Sequence, residues 1–266
     1  MTFPTLAAAA RLEEHPLLHL EGVMLRHRGG GRTVTAVEDV ELRLARGERL
    51  AVVGPSGCGK SSLLKAVAGY LAPAAGRITI SGRAVSGPGP DRGVVFQEFD
   101  QLLPWKTVRE NVVFALRAAR RIPRREALAL ADHHLARVRL TDFADAYPHT
   151  LSGGMKQRVA IARCLALQPQ LVLMDEPFAS LDALTRRRMQ DELLALWQEW
   201  RFTLFFVTHA IDEAIRIGTR IVLLSPGPGR VRADLPIGAG GEGPEAVALA
   251  SRVDALLRQD AGDWCI

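Results

Sequence analysis

The sequence predicts an α/β fold with a mostly parallel core sheet, an antiparallel β subdomain and a helical insertion subdomain. Unbroken apolar runs typical of strands buried on both faces alternate with helical stretches; these runs are ERLAVVG, LVLMD, FTLFFVT and RIVLLS. Apolar and polar residues alternate between positions 17 and 44, which indicates two half-buried antiparallel strands joined by a flexible Gly-rich loop. Between Gln97 and Leu151 the pattern is mainly helical.

Length and composition exclude several classes of protein. The chain has 266 residues, 48% of them hydrophobic and 24% charged, which is typical of a complete, soluble globular protein. No apolar stretch approaches the roughly 18 residues that span a bilayer, so we do not expect an integral membrane protein. The net charge of +5 permits an acidic partner but identifies none.

The cysteines indicate a reducing compartment. Cys58, Cys164 and Cys265 lack metal-ligand spacing, and an odd number argues against a disulfide framework. The N-terminus has no charged region followed by an apolar core, as a secretory signal would. A cytoplasmic setting is the simplest interpretation.

The chain is predicted to have three parts. Residues 1–16 are an N-terminal lead-in, residues 17–244 form the main domain with its helical insertion at about 98–167, and residues 245–266 form a C-terminal helix and tail.

A phosphate-binding loop follows the first buried strand and opens a helix. The sequence GPSGCGKS matches G-x-x-x-x-G-K-[ST] in full. Glycines let backbone N–H groups and the helix dipole face phosphates, Lys60 adds a positive charge, and the Ser61 hydroxyl suits Mg²⁺. We interpret Cys58 within the loop as structural. The predicted nucleotide-binding residues here are Gly54, Pro55, Ser56, Gly57, Cys58, Gly59, Lys60, Ser61 and Ser62.

Two carboxylates end the buried strand LVLMD. Asp175 at the strand's carboxyl edge is placed to organise Mg²⁺, and Glu176 points elsewhere and is the candidate general base. Alone, such a pair is more often a solvated strand end. Because a complete phosphate loop precedes the pair in this sequence, the roles of Mg²⁺ ligand and general base are favoured.

LSGGMKQ, at positions 151–157, precedes this pair by about twenty residues, and with the phosphate loop it resembles the signature of the ATPase subunit of ATP-binding cassette (ABC) transporters. The resemblance covers roughly residues 17–225 and implies a P-loop NTPase cassette that hydrolyses ATP with Mg²⁺. It implies the following roles: Gln97 as the Q-loop residue that reaches Mg²⁺ and the attacking water, Ser180, Leu181 and Asp182 as the D-loop, His209 as the switch histidine that contacts the γ-phosphate, and Ser152, Gly153 and Gly154 as contacts to the ATP of a partner cassette.

Three of the histidines outside these motifs are candidate functional residues. The resemblance places His27 where the family stacks an aromatic residue on adenine, although a surface histidine without nucleotide contact is an equally good interpretation. His133 and His134 lie on a predicted helix of the insertion without a third metal ligand nearby, and we expect both to be solvated.

Two stretches, DRGVVFQEFDQLLPWKTVRENV and LLSPGPGRV, resemble cassettes of bacterial importers for nitrate, taurine and other sulfonates. In that family a groove beside the Q-loop receives a coupling helix from each membrane subunit. Phe99, Leu102, Leu103 and Trp105 either line this groove or belong to the core of the insertion.

The resemblance implies a peripheral protein at the cytoplasmic face of the inner membrane. Its implied partners are a second ATPase subunit, as in a homodimer, two transmembrane permease subunits and, indirectly, a periplasmic solute-binding protein. The alternative is a nucleic-acid-associated ABC ATPase. The sequence disfavours it, because the insertion is short, holds no CxxC pair and no aromatic-interleaved basic patch, and 30 of the 34 basic residues are arginine.

Overall fold

The computed structural model describes residues 16–29, 32–97, 101–238 and 243–261. The chain divides into two units: unit 1 combines the residues up to Gly89 with those from Thr203 onward, and unit 2 comprises Pro90–Phe202.

The helices and strands of the described residues are, in chain order, β1 (Leu18–Gly29), β2 (Arg32–Leu44), β3 (Arg49–Val53), α1 (Lys60–Ala68), β4 (Ala75–Ile80), β5 (Arg83–Ala84), β6 (Arg92–Val95), α2 (Val108–Arg120), α3 (Arg124–Arg137), α4 (Gly153–Ala166), β7 (Leu171–Asp175), α5 (Ala183–Trp200), β8 (Thr203–Thr208), α6 (Ile211–Ile217), β9 (Arg220–Leu224), β10 (Val231–Pro236) and α7 (Pro244–Ala261). Short 3-10 turns occur at Thr141–Phe143 and Pro148–Thr150.

Unit 1 contains an antiparallel sheet and a group of parallel strands. The antiparallel sheet has the order β2-β1-β4-β5. Strand β3 pairs in parallel with both β8 and β9, and β10 adds antiparallel to β9. The alternation in β2 buries Val40, Leu42 and Leu44 and exposes the residues between them, as a one-sided sheet requires.

Unit 2 combines the parallel pair β6 and β7 with the helices of the insertion. All five residues of β7 are buried, which fits its unbroken apolar sequence. Helix α2 begins at a capping box in which Thr107 accepts from the N–H of Glu110 and the Glu110 carboxylate accepts from the N–H of Thr107. The predicted α/β class, with parallel strands, an antiparallel sheet and a helical insertion, is confirmed.

Among the described residues, no helix is long and apolar enough to cross a membrane.

One prediction about the insertion is wrong. His133 is exposed as expected, but His134 is only 6% exposed. Its ring lies edge-on to Trp200, with centroids 5.0 Å apart, and within the described residues its Nδ1 has no hydrogen-bond partner. Burial, together with the positive charges of His133, Arg120 and Arg137, lowers the pKa of His134 to about 4.

We expect this histidine to make the fold less stable in acid. Between pH 6.5 and 4 the unfolded chain binds a proton at His134 and the folded chain does not, so stability falls as pH decreases. Lowering the pH from 7 to 5 should cost about 2 kcal/mol through this group. Denaturant unfolding at several pH values checks this: His134→Leu should remove that part of the slope, whereas His133→Leu, at the exposed neighbour, should retain most of it because burial is the larger cause of the lowered pKa.

Candidate functional site

The phosphate loop of unit 1 joins β3 to α1 and is folded around the side chain of Lys60. Lys60 is buried, and its Nζ donates to the carbonyl oxygens of Gly54 (2.8 Å) and Pro55 (3.0 Å). Gly59 caps the helix with φ +95°, a left-handed conformation that favours glycine. The loop therefore presents a helix N-terminus beside a fixed ammonium, which fits the phosphates of a nucleotide.

A distant segment holds the loop in place. A Cβ at Gly229 would lie 2.0 Å from the carbonyl oxygen of Cys58, so only glycine fits there. The N–H of Gly229 donates to Ala36 (2.9 Å), and its carbonyl accepts from Glu38 (3.0 Å). We call this contact the Gly229 clamp. The sequence pattern did not predict this contact, although LLSPGPGRV contains the relevant glycine.

Cys58 is a packing residue within the loop. It is fully buried, and burial raises the pKa of its thiol, while the nearby Lys60 opposes that shift. A thiol with a raised pKa is a poor nucleophile, which supports the structural interpretation.

His209 leaves the sheet at the same edge as the phosphate loop. Val53 and Thr208 are register partners in the parallel pair β3 and β8, so the residues that follow each strand start side by side. The Thr208 hydroxyl donates to the buried carboxylate of Glu213 on α6 (2.5 Å) and accepts from the N–H of Ala210 (3.1 Å). These two bonds bracket the exposed His209, and the sequence analysis did not predict them.

His27 lies beside the first turn of α1. Its Nε2 is 2.8 Å from the hydroxyl of Ser62, and the ring is exposed on β1 opposite Val34. The structure thus brings His27 to the nucleotide-binding loop. Its contact with adenine stays a prediction.

We expect His27→Tyr to tighten ATP binding about fivefold, since a phenol offers a larger stacking surface worth roughly 1 kcal/mol. Titration with a fluorescent ATP analogue measures the change, and His27→Ala should weaken binding. If neither variant changes the affinity, another residue or none covers the base.

In unit 2 the candidate metal ligand, base and glutamine leave one sheet edge. Val95 and Met174 are register partners in β6 and β7. Gln97 lies two residues after Val95 and Glu176 two residues after Met174, so both leave the sheet at the same edge. Asp175 is buried at the end of β7. Glu176 has φ +44°, a strained conformation for a residue with a side chain, and such strain is concentrated at functional sites.

The signature residues begin α4. Ser152 is its N-cap, with its hydroxyl accepting from Met155 at 3.4 Å, and Gly153 and Gly154 form the first turn. A Cβ at Gly154 would lie 3.0 Å from the Thr185 side chain, so the start of α4 lies close to the start of α5.

Asp182, which the resemblance assigns to the D-loop, caps α5. Its carboxylate accepts from the backbone N–H groups of Leu184 (3.1 Å) and Thr185 (3.0 Å), and hydrogen bonding by Thr185 lowers the pKa of Asp182. It is therefore held ionised at neutral pH.

Within LLPW (residues 102–105), one residue belongs to the core of the insertion and another is exposed as a groove residue would be. Leu102 is 3% exposed and belongs to the core, whereas Trp105 is 70% exposed. Phe99 lies outside the described residues, and Leu103 is half-buried. Asn111, fully buried on α2, holds the segment by accepting from the N–H of Leu103 (2.8 Å) and donating to backbone carbonyls in it. The core alternative is therefore wrong for Trp105.

The family model described as ABC transporter matches residues 37–179. The chain belongs to the ABC transporter family. It is 51% identical to a taurine import ATP-binding protein of Rhizobium johnstonii over 76% of each chain. It is 47% identical to a nitrate import ATP-binding protein of Synechococcus elongatus over 73% of this chain and 70% of that protein.

A solved structure of an ATP-binding cassette, MJ0796, in a post-hydrolysis state with ADP and phosphate aligns with TM-score 0.73 and 32% identity, covering 84% of this cassette and 100% of that chain. This ABC cassette is an ATP-hydrolysing subunit that resembles those of taurine and nitrate importers, and it uses ATP and Mg²⁺.

Proposed function

We propose that this cassette drives a bacterial importer for taurine, nitrate, a sulfonate or a related small solute. Its similarity to taurine and nitrate import ATP-binding proteins over about three quarters of the chain carries the proposal. Uptake of taurine, nitrate and alkanesulfonates, compared in strains with and without the gene, identifies the solute. Unchanged uptake of all three would contradict the assignment to taurine, nitrate and sulfonates.

The residues divide the work of hydrolysis between binding and chemistry. Lys60 and the loop N–H groups bind the phosphates, Glu176 accepts a proton from the attacking water, and His209 donates a hydrogen bond to the γ-phosphate. Mg²⁺, when bound, neutralises phosphate charge. The hydroxyl of Ser61, the carboxylate of Asp175 and the amide oxygen of Gln97 are ligands of the kind that it prefers.

Two cassettes would form two composite sites. The Ser152 helix N-terminus of one chain would bind the ATP held by the Lys60 loop of the other, because a helix start with two glycines is an anion site. Loss of the γ-phosphate would then remove contacts that join the two chains, so hydrolysis would open the dimer. The second cassette would be an identical chain.

The remaining partners would be two membrane permease subunits and, through them, a periplasmic solute-binding protein. Trp105 supports a docking site, since a tryptophan that is 70% exposed is a typical interface anchor. It lies in the segment that follows Gln97, so the nucleotide site and the permease would be coupled through a short stretch of chain. The protein would therefore work at the cytoplasmic face of the inner membrane.

We expect Trp105→Ala to uncouple the cassette from transport. Because the indole is exposed, the isolated variant should keep its ATPase activity and its unfolding midpoint, but truncating an interface anchor should weaken permease binding by about 2 kcal/mol or more. Co-purification with the permease and solute uptake measure the loss. Phe143→Ala removes another exposed aromatic ring of unit 2 and serves as the control. A Trp105→Ala cassette that assembles and transports normally would rule out the docking role.

A further inference from the structure

Five arginines crowd the corner between α2 and α3. All five are exposed, and they lie within a stretch of nine residues that contains no carboxylate. We call this group the arginine corner; it consists of Arg117, Arg120, Arg121, Arg124 and Arg125.

Within the described residues, no side chain of the arginine corner makes an ion pair or a hydrogen bond. Three other arginines of unit 2 behave differently: Arg109 pairs with Asp132, Arg137 with Glu199, and Arg158 with Glu192. Carboxylates neutralise these three arginines, whereas the five clustered charges of the arginine corner repel one another without such a partner among the described residues.

The dipole of α3 adds to the unfavourable electrostatic energy of the clustered arginines. Arg124 and Arg125 occupy the first turn of α3, where the helix dipole disfavours positive charge. The corner is nevertheless well defined, because Arg121 adopts a left-handed conformation that ends α2, and Pro123 precedes α3. The positive charges thus lie on the turn between α2 and α3, where the start of α3 favours binding of an anion.

An exposed aromatic ring continues the same surface. Phe114 on α2 is 50% exposed and lies three residues before Arg117, so the two share a helix face. Lys106 lies over the Phe114 ring, 5.5 Å from its centroid. Aromatic rings beside clustered basic side chains are typical of surfaces that contact the headgroup region of a membrane.

We infer that the arginine corner binds the headgroups of anionic phospholipids. This inference rests on the proposed function, which places the cassette beside membrane permease subunits. Helix α2 has 13 residues and rises about 20 Å, so the corner lies within roughly that distance of the Trp105 segment that precedes the helix. The membrane surface carries the complementary charge, at a density that suits several guanidinium groups at once.

Nucleic acid is the other polyanion that such a group attracts. A lipid surface fits better, because the corner is an exposed turn between two helices with one aromatic ring beside it, whereas single-stranded nucleic acid is held in basic grooves by a series of stacking rings.

Co-sedimentation of the purified full-length protein with vesicles tests the inference. We expect binding to vesicles containing phosphatidylglycerol, none to pure phosphatidylcholine, and loss of binding as NaCl is raised. The triple variant Arg117→Gln/Arg124→Gln/Arg125→Gln should lower the partition coefficient about 100-fold, since each basic residue near an anionic surface contributes roughly a factor of five. Arg120, which lies near His134, and the left-handed Arg121 are left intact so that the fold is preserved.

The matched control is Arg26→Gln/Arg83→Gln/Arg252→Gln, which removes the same charge from exposed sites of unit 1 and should bind like the wild type. ATPase activity and the unfolding midpoint should be unchanged in both. Failure of the wild type to bind anionic vesicles, or equal loss in the two triple variants, would overturn the inference, as would tighter binding to a single-stranded oligonucleotide with the same sensitivity to the corner variant. Permease co-purification is measured separately, so a failure of the importer proposal is distinguishable from a failure of lipid binding.

Discussion

Glu176→Gln should abolish ATP turnover while leaving ATP binding intact. A general base acts mainly in the transition state and contributes about 10²–10⁴ in rate, and the amide cannot accept the proton. Lys60→Ala should instead lose nucleotide binding, because the buried ammonium of Lys60 bonds to two carbonyls of the loop and is the proposed phosphate ligand. Steady-state phosphate release and equilibrium binding of labelled ATP separate the two effects.

The exposed carboxylate of Glu126 provides a control, since Glu126→Gln removes the same charge from a site without a proposed role. With ATP, the Glu176→Gln protein should also accumulate as a dimer in size-exclusion chromatography, because hydrolysis no longer separates composite sites. Near-normal turnover in Glu176→Gln would show that another group activates the water.

Gly229→Ala should damage the nucleotide site from a position 171 residues beyond Cys58 in the chain. Its added methyl group would overlap the backbone oxygen of Cys58, and Gly229 cannot move aside easily while it is bonded to both Ala36 and Glu38. We expect a loss of about 3 kcal/mol in the free energy of unfolding, with weaker ATP binding, as for other overpacked sites.

Urea unfolding and ATP titration measure both effects. Gly87→Ala is the matched control, because a Cβ there meets nothing within 4 Å. Equal free energies of unfolding for Gly229→Ala and Gly87→Ala would show that the Gly229 clamp does not hold the phosphate loop in place.

The predictable features of this molecule are local in sequence. The strand before Gly54, the loop and the helix after Lys60 were predictable because the glycine spacing, the apolar run and the helical pattern agree over some twenty adjacent residues. The same holds for the strand that ends at Asp175.

The features that escaped prediction depend on long-range packing. The neighbours of His134 in sequence include exposed, polar residues, but Trp200, from a helix that begins some fifty residues later, covers its ring. Leu102 and Trp105 have similar apolar character, yet Leu102 is buried and Trp105 is exposed, and the buried Asn111 on α2 bonds to the backbone at Leu103 between them. The brace of Thr208 by Glu213 likewise needs the turn at His209 to bring the two side chains together.

The internal bonds of the phosphate loop also bear on the speed of nucleotide exchange. Lys60 already donates to two loop carbonyls, and the Gly229 clamp fixes the backbone at Cys58, so the loop does not need to fold when ATP arrives. Entry of a nucleotide then costs little chain ordering, and ADP leaves a loop that keeps its shape for the next ATP. Rebuilding of the loop would thus add little to the waiting time between turnovers.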